Sequence, residues 1–313
     1  MAVKSFPILR LPSLARENVL KSMNTVQLFL LSQLSRRMKR AIKAEYRNIV
    51  QELSVTVDFS ICISTSFSGT TTGNFFVHDA RRRIQQKARI EDKNGIPTFR
   101  FFKCNILEDT KQFLAELIDV FSFPITKFYI DISYKQNYQS IFQWVDNYSR
   151  NAQLIRVHGY KIAFGEYCWI LERLDCPNNV EFDVSIQTYD HKKCGVIFRA
   201  DKIKILHGEF IRLIHLQSLN GIEYHIGNAT INDKELNVFL RGLVAGANPN
   251  LRQLKLEKYG RAIIDDVLEG LSAKNIGDNQ WSFELENGNE VNLSYSVLHP
   301  VRKSSIDISI NRN

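Results

Sequence analysis

Apolar residues recur at helical spacing near the N-terminus of the chain. Within residues 6–47, a first apolar series begins at Leu11-Pro12, and a second series covers residues 26–42. Proline suits the first turn of a helix because its missing N–H would have no partner there. Asn24-Thr25 separates the two series with residues that favour helix caps. The pattern predicts a small helical segment. Since about 40 residues make a weak core alone, its remaining apolar face is expected to dock on something else.

Alternating apolar and polar residues replace the helical spacing farther along the chain. Residues 53–67 predict one bent strand or two short strands, because β-branched residues alternate there with polar ones. Residues 68–74, SGTTTGN, predict a loop. Asn94-Gly95 predicts a hairpin turn with a strand over residues 96–103. Together these patterns predict a small antiparallel unit over residues 51–105.

Helical and strand patterns then alternate from residue 106 to the end of the chain. Strand centres near residues 130, 156, 183, 204, 224 and 255 are separated by roughly 20–30 residues, which is typical of leucine-rich-type repeats. Asn287-Gly288 lies between two alternating segments and predicts a terminal hairpin. The fold class predicted for the whole chain is α/β: N-terminal helices, a small antiparallel unit and an irregular leucine-rich-repeat-like solenoid over residues 106–313.

The predicted repeat strands have one apolar face, because side chains of a strand alternate between the two faces of a sheet. The residues expected to point inward are Phe128, Ile130, Ile132, Val157, Val180, Phe182, Val184, Ile203, Ile205, Ile222, Tyr224, Leu254 and Leu256. The residues between them are mostly charged and are expected to form an outward face.

The net charge of +8 is unevenly distributed. Residues 1–50 contain ten basic and two acidic side chains, and the rest of the chain is neutral overall. Arg36, Arg40, Lys43 and Arg47 recur along one side of a predicted helix. This row can face an acidic protein, a nucleic acid or water. Because the excess is confined to the helical segment, the distribution counts against a general nucleic-acid binder.

The sequence contains no recognisable catalytic or metal-binding pattern. Its cysteines are scattered without a C-x-x-C pair, which indicates reduced thiols and a cytoplasmic or nuclear protein: Cys62, Cys104, Cys168, Cys176 and Cys194. His191 and Cys194 lack further ligands nearby, and Asp265-Asp266 is expected at the start of a helix. No apolar run reaches the roughly 18–20 residues of a membrane helix. The sequence therefore predicts a protein that is not an enzyme and needs no cofactor, metal or membrane.

The N-terminal segment resembles the F-box, a helical motif that docks on a Skp-type adaptor in cullin-RING ubiquitin ligases. The residues in the order of that motif are Leu11-Pro12, Val19-Leu20, Met23, Leu28, Leu31-Ser32, Leu34-Ser35 and Arg36-Arg37. The usual motif has Trp where this chain has Met38, and often Cys where it has Ser35. The opening FPILRLP is similar to F-box families that are expanded in nematodes. The resemblance predicts an F-box domain over residues 1–50.

A second stretch is similar to the type 2 F-box-associated domain that follows the F-box in those families. It covers residues 222–256, notably Leu236–Leu240 and Gly246–Pro249. The resemblance implies the substrate-recognition subunit of an SCF-type ubiquitin ligase, in which residues 106–313 bind a protein target. A non-degradative scaffold on the same adaptor, and less favoured a nucleic-acid-binding protein, are the alternatives.

The F-box motif, the basic row and the alternation of the strands together predict which residues bind each partner. The Skp-type adaptor, and the cullin through it, would be bound by Leu11, Pro12, Val19, Leu20, Met23, Leu28, Leu31, Arg36 and Arg40. The unknown target would be bound by outward residues of the repeat strands: Tyr129, Asp131, Arg156, His158, Glu181, Lys202, Lys204, Glu223 and Lys255. The competing interpretation is that charges of opposite sign on neighbouring strands neutralise this face, since strands lie about 4.8 Å apart.

Overall fold

A computed structural model describes most of the chain. The described residues are 8–46, 52–67, 70–80, 88–103, 105–133, 138–174, 176, 178–187, 198, 200–299 and 303–311. The chain divides into two compact units, Met1–Tyr129 and Ile130–Asn313. The sequence predicts boundaries after residues 50 and 105, whereas the division between the two units falls after residue 129. The N-terminal helices belong to the same unit as the strands that follow because α2 packs on β3 and β5.

The helices of the first unit include the three of the N-terminal segment. They are α1 (Ser13–Lys21), α2 (Thr25–Ser32), α3 (Arg36–Tyr46) and the later α4 (Ile106–Phe121), with a 3-10 turn at Ile8–Arg10 before them. Asn24 caps α2 in a capping box with Gln27. The apolar series over residues 26–42 is divided into α2 and α3, and the Ser35 hydroxyl accepts a hydrogen bond from the Met38 N–H at 3.1 Å.

The sheet of the first unit is mixed. Its strands are β1 (Glu52–Val57), β2 (Ile61–Phe67), β3 (Thr70–Asp79), β4 (Arg89–Lys93), β5 (Ile96–Lys103) and β6 (Ile125–Asp131), and β6 extends two residues past the boundary. They lie in the order β6-β1-β2-β3-β5-β4. Asn94 and Gly95 both have positive φ in the β4–β5 turn, as the predicted hairpin requires. The prediction of a purely antiparallel unit is wrong, because β3 pairs with β5 in parallel.

The predicted loop over residues 68–74 is also corrected. Strand β3 begins at Thr70, while Ser68 and Gly69 lie outside the described residues. Gly73 is needed for close approach rather than for a turn. A Cβ atom at Gly73 would lie 3.3 Å from a methyl carbon of Val26 and 3.4 Å from the Cβ of Thr25 on α2. The glycine therefore allows the second helix of the N-terminal segment to pack directly on the sheet.

The sheet of the second unit combines parallel and antiparallel strands. The parallel strands β7 (Leu154–Ile162), β8 (Asn179–Ile186), β9 (Lys202–Ile205), β10 (Glu223–Ala229) and β11 (Gln253–Tyr259) lie in chain order. The strands β15 (Lys303–Asn311), β14 (Glu290–His299), β13 (Gln280–Glu284) and β12 (Lys274–Gly277) follow, all antiparallel. The predicted hairpin is β13–β14, and β15 separates it from β11.

Helices flank the parallel strands of the second unit and, within the described residues, separate all of them except β8 and β9. They are α5 (Tyr138–Ser149), α6 (Phe164–Arg173), α7 (Leu213–Gln217), α8 (Asp233–Val244) and α9 (Ile264–Leu268). The α/β class with N-terminal helices and a large mixed sheet is therefore confirmed, and a leucine-rich-repeat-like solenoid stays a prediction. No helix within the described residues has both the length and the apolar character needed to span a membrane.

The predicted inward faces of the strands form the core. Every residue of the inward set is buried except Ile222, which precedes β10 and is half-buried. The alternation is clear on β8, where buried and half-exposed residues follow one another from Val180 to Ile186. Because one face of each strand is buried, the charged residues between the apolar ones are fixed on the outward face.

Candidate functional site

The structure distributes the nine predicted adaptor-binding residues over three environments. Pro12, Arg36 and Arg40 are exposed, while Leu11, Val19, Met23 and Leu31 are half-buried. Leu20 and Leu28 are each 1% exposed. A residue that contacts a partner needs accessible surface, so Leu20 and Leu28 are corrected from contact residues to core residues of the first unit.

The burial of these two leucines follows from how the helices pack. Helix α2 contacts β3, β5 and α4, and its Phe29 ring lies 4.9 Å from Phe113 of α4 and 5.5 Å from Phe75 of β3, measured between ring centroids. The buried Tyr46 hydroxyl donates a hydrogen bond to the Leu20 carbonyl at 3.1 Å, which ties α3 to the end of α1. The helical segment is thus part of a larger core, and its inner apolar face is covered by its own chain.

Two exposed leucines lie in the same segment but outside the predicted set. Leu14 on α1 is 68% exposed, and Leu34, just after α2, is 75% exposed. Both belong to the apolar series that predicted the helices, so the sequence signal existed. That signal did not distinguish them from Leu20 and Leu28, because periodicity identifies an apolar face without saying what covers it.

Only part of the positive charge on α3 is available to a partner. Lys39 and Lys43 both pair with Asp119 of α4, at 2.5 Å and 2.9 Å between nitrogen and oxygen. Hydrogen bonds from Lys39 and then Lys43 lower the pKa of the Asp119 carboxyl to about 2. Arg36 and Arg40 are exposed and make no ion pair within the described residues, and Arg47 lies outside them. The available charge is therefore concentrated in the first two turns of α3.

The predicted target-binding residues are divided between the two units at residue 129. Tyr129 is half-buried in the first unit, and the other eight belong to the second unit. Arg156 and His158 are exposed, and Asp131, Glu181, Lys202, Lys204, Glu223 and Lys255 are half-exposed. The outward direction predicted by the alternation is confirmed for the strands β7 to β11.

Strand register brings opposite charges on this outward face together. Arg156 of β7 lies opposite Glu181 of β8, and their Nε and Oε2 atoms are 2.6 Å apart. Lys202 of β9 lies opposite Glu223 of β10 at 2.7 Å between Nζ and Oε1. The face therefore contains ion pairs of the kind that the neutralising interpretation predicts.

Histidines and carboxylates continue this pairing. His158 Nδ1 lies 3.0 Å from one oxygen of Asp183, and His207 Nε2 lies 3.3 Å from the other. His225 Nε2 lies 2.9 Å from Glu257 Oε1, which is also 3.7 Å from the Lys255 ammonium. Within the described part of the chain, no group of side chains forms a metal site.

The other residues considered for catalysis or metal binding do not form a site within the described residues. His191, Cys194 and the basic run at residues 81–83 lie outside the described residues. Asp265 and Asp266 occupy the first turn of α9, as predicted for a helix start, where the positive end of the helix dipole favours carboxylates. The geometry therefore offers interaction surfaces, one apolar and one charged.

Comparison with known families agrees with this two-part organisation. Residues 8–49 match the F-box domain family, and residues 194–256 match the family described as F-box associated. The comparison with curated proteins finds no match, and neither does the comparison with solved structures. The first match covers α1, α2 and α3, and the second covers β9, α7, β10, α8 and the first part of β11. The chain combines an F-box domain with an F-box-associated domain.

Proposed function

We propose that this chain is the substrate-recognition subunit of an SCF-type cullin-RING ubiquitin ligase. Its F-box domain would bind a Skp-type adaptor, which connects it to the cullin, and its second unit would hold a protein target. The single observation that carries the proposal is the F-box match at residues 8–49, in a segment that exposes apolar side chains. The expected location is the cytoplasm or the nucleus.

The docking surface follows from exposure. Leu14, Leu34 and Pro12 are exposed, so they contribute little to the core of the first unit. Burying one such leucine against a partner is worth about 1.5–3 kcal/mol, which is ample for an anchor in an interface. The half-buried Leu11, Val19, Met23 and Leu31 would complete the contact, and Arg36 and Arg40 would meet acidic groups of the adaptor.

The second unit would act by position rather than by chemistry. A target held on it lies at high effective concentration near the ubiquitin donor recruited through the adaptor. Five parallel strands in chain order, with described helices in three of the four connections between them, support the interpretation as an irregular repeat sheet whose exposed face binds partners. In this proposal the chain is not an enzyme and requires no cofactor.

Adaptor binding gives the direct test. The full chain should co-purify with a Skp-type adaptor, and the double variant Leu14→Asp/Leu34→Asp should lose it, because it places charge in an apolar contact. The matched control is Ile276→Asp/Leu298→Asp, which changes two residues of similar exposure in the second unit. Equal adaptor recovery by both double variants and the wild type would refute the proposed docking surface, and no recovery by the wild type would refute the proposed function.

The scaffold alternative shares the adaptor contact but not its consequence. A degraded target should accumulate when the proteasome is inhibited and when Leu14 and Leu34 are changed to Asp. A target that binds without either response would favour a non-degradative scaffold on the same adaptor.

A further inference from the structure

Lys204, on the charged face of the second unit, differs from Arg156, Lys202 and Lys255 in having no carboxylate partner among the described residues. It lies on β9, opposite Glu181 on one side and His225 on the other. Among the described residues its ammonium has no ion-pair partner, although it is half-exposed on a face where most charged side chains are paired. A lysine without a partner in such surroundings is available for a charge that comes from outside the chain.

The carboxylates around Lys204 are already engaged. Glu181 pairs with Arg156, and Glu223 pairs with Lys202. Glu257 accepts from His225 and lies near Lys255. Rotating any of these carboxylates toward Lys204 would give up an existing contact, so none of the three is a ready partner for Lys204 in the described structure.

The next positions across the sheet on the β10 side place no carboxylate directly beside Lys204. His225 is opposite both Lys204 and Lys255, so these three side chains follow one another across β9, β10 and β11. Asp307 of β15 lies beyond Lys255 and accepts a hydrogen bond from the Ser305 hydroxyl at 3.1 Å. Neighbouring strands are about 4.8 Å apart, so the side chain beside Lys204 on the β10 side is the imidazole of His225 and not a carboxylate.

An open cleft surrounds this lysine. It has a volume of about 240 Å³. The polar side chains that line it are Lys202, Lys204, Lys255, Glu181, Glu223, His225, Asn179 and Gln253. Since a cavity of about 10–15 Å³ suffices for one water molecule, the cleft has room for several waters and can admit a carboxylate side chain in their place. The two amides can donate to and accept from the backbone of a bound segment.

We propose that this cleft binds an acidic segment of the target, with an Asp or Glu carboxylate of that segment paired with Lys204. That the segment belongs to the target rests on the proposed function; the site itself does not. A single carboxylate fits better than a polyanion, because Glu181, Glu223 and Glu257 border the lysines and would repel the successive phosphates of a nucleic acid.

The test measures the anisotropy of a rhodamine-labelled peptide, Ser-Gly-Glu-Ser-Glu-Gly with an amidated C-terminus, on the full chain. Its analogue with Gln in place of Glu is the reference probe. The variants are Lys204→Gln, Lys204→Arg and the matched control Lys234→Gln, an exposed lysine of α8 with no ion pair in the described structure. Lys204→Gln should weaken binding roughly tenfold, as expected for one charge-assisted hydrogen bond, whereas Lys204→Arg and Lys234→Gln should bind like the wild type.

A second readout locates the peptide on the wild-type chain. Carbodiimide coupling joins a carboxylate to a nearby lysine amine, and mass spectrometry should find the peptide on Lys204 several-fold more often than on the more exposed Lys234. Adducts spread in proportion to exposure, equal binding of the Gln peptide, or equal loss in both Gln variants would overturn the proposal. So would a hexathymidylate that binds as tightly with the same dependence on Lys204.

Adaptor recovery separates this inference from the proposed function. The Lys204→Gln variant should recover the Skp-type adaptor as the wild type does, because Lys204 lies in the second unit and the F-box in the first. If the chain binds the acidic peptide but no adaptor, the peptide site is supported and the proposed ligase function is refuted. Adaptor binding without a peptide site would do the reverse.

Discussion

The exposed residues of the F-box segment and those of the strand face in the second unit differ in whether other residues of the chain contact them. Leu14 and Leu34 project apolar side chains that are 68% and 75% exposed. On the strand face, Arg156, Lys202 and His225 each have a carboxylate partner on the next strand. The first region presents surface that its own chain leaves uncovered, and the second presents charges that its own chain largely satisfies.

This difference separates folding from recognition at each surface. An uncovered apolar residue can be changed with little effect on stability, and its loss should appear in binding. A self-paired charge has less to offer a partner, so Lys204 stands out on that face, although each exposed pair stabilises the fold by only about 0–1 kcal/mol. Single substitutions should therefore distinguish residues that stabilise the fold from residues that bind a partner.

The largest expected effect compares two lysines on opposite faces of β11. Lys258 points inward and pairs with Asp233, with side chains only 8% and 13% exposed, whereas Lys255 is on the outward face. Lys258→Met should lower the free energy of unfolding by about 3–5 kcal/mol, because it leaves a buried carboxylate without its cation. Lys255→Met should change it by less than about 1 kcal/mol. Urea unfolding followed by tryptophan fluorescence measures both, since all three tryptophans are in the second unit.

A double variant provides the control for Lys258. Asp233 also accepts a hydrogen bond from the Ile263 N–H at 2.9 Å, and Asn retains an acceptor there without the charge. Lys258→Met/Asp233→Asn should therefore be more stable than Lys258→Met alone. Similar losses for Lys258→Met and Lys255→Met would contradict the difference between the two faces.

The next effect compares two leucines within the F-box. Leu28→Ala should destabilise the first unit by about 2–5 kcal/mol, because Leu28 is almost completely buried and the change leaves a cavity. Leu34→Ala should change stability by no more than about 0.5 kcal/mol and still weaken adaptor binding. Amide hydrogen exchange in α2 and α4 is the suitable measurement, because the first unit contains no tryptophan. Faster exchange in Leu34→Ala would place that residue in the core instead.

Much of this architecture was predictable from the pattern of apolar residues. The strands β7 to β11 bury one face in a well-packed core, so their alternation survives in the sequence and also determines which charges point outward. Asn94-Gly95 and the Asn24 cap were predictable because few residues satisfy those local geometries.

The errors occurred where the structure depends on distant contacts. Strand β3 begins with Thr and Gly residues that are typical of loops, and Gly73 is required because α2 approaches the sheet there. The parallel pairing of β3 with β5 involves segments whose local patterns do not specify direction. Leu20 and Leu28 look like Leu14 and Leu34 in sequence, and only the packing of Phe29 against Phe75 and Phe113 decides which face is covered.

The smallest expected effect concerns the basic residues of α3, of which Lys39 and Lys43 are paired with Asp119 while Arg36 and Arg40 are not. Asp119 holds Lys39 and Lys43, and its pKa is lowered from 3.8 to about 2. A carboxyl with a lowered folded-state pKa stabilises the fold above its unfolded pKa, and this contribution is lost as pH falls from about 4 toward 2. Because the Asp119 side chain is 53% exposed, the contribution should remain below about 1 kcal/mol.

Asp119→Asn removes this contribution and leaves Lys39 and Lys43 without their shared partner. At pH 7 the urea midpoint of Asp119→Asn should be lower than that of the wild type, and this difference should shrink as the pH is lowered below 4. Hydrogen exchange in α3 and α4 at each urea concentration measures the midpoint. At pH 7 the variant should also associate faster with the adaptor at low salt, if α3 faces an acidic surface, because two more cations become available beside Arg36 and Arg40. A midpoint difference that does not change with pH would show that the two lysines are not held by the ionised carboxylate. Unchanged association would assign the basic row of α3 to solvent, so that docking depends on the exposed leucines alone.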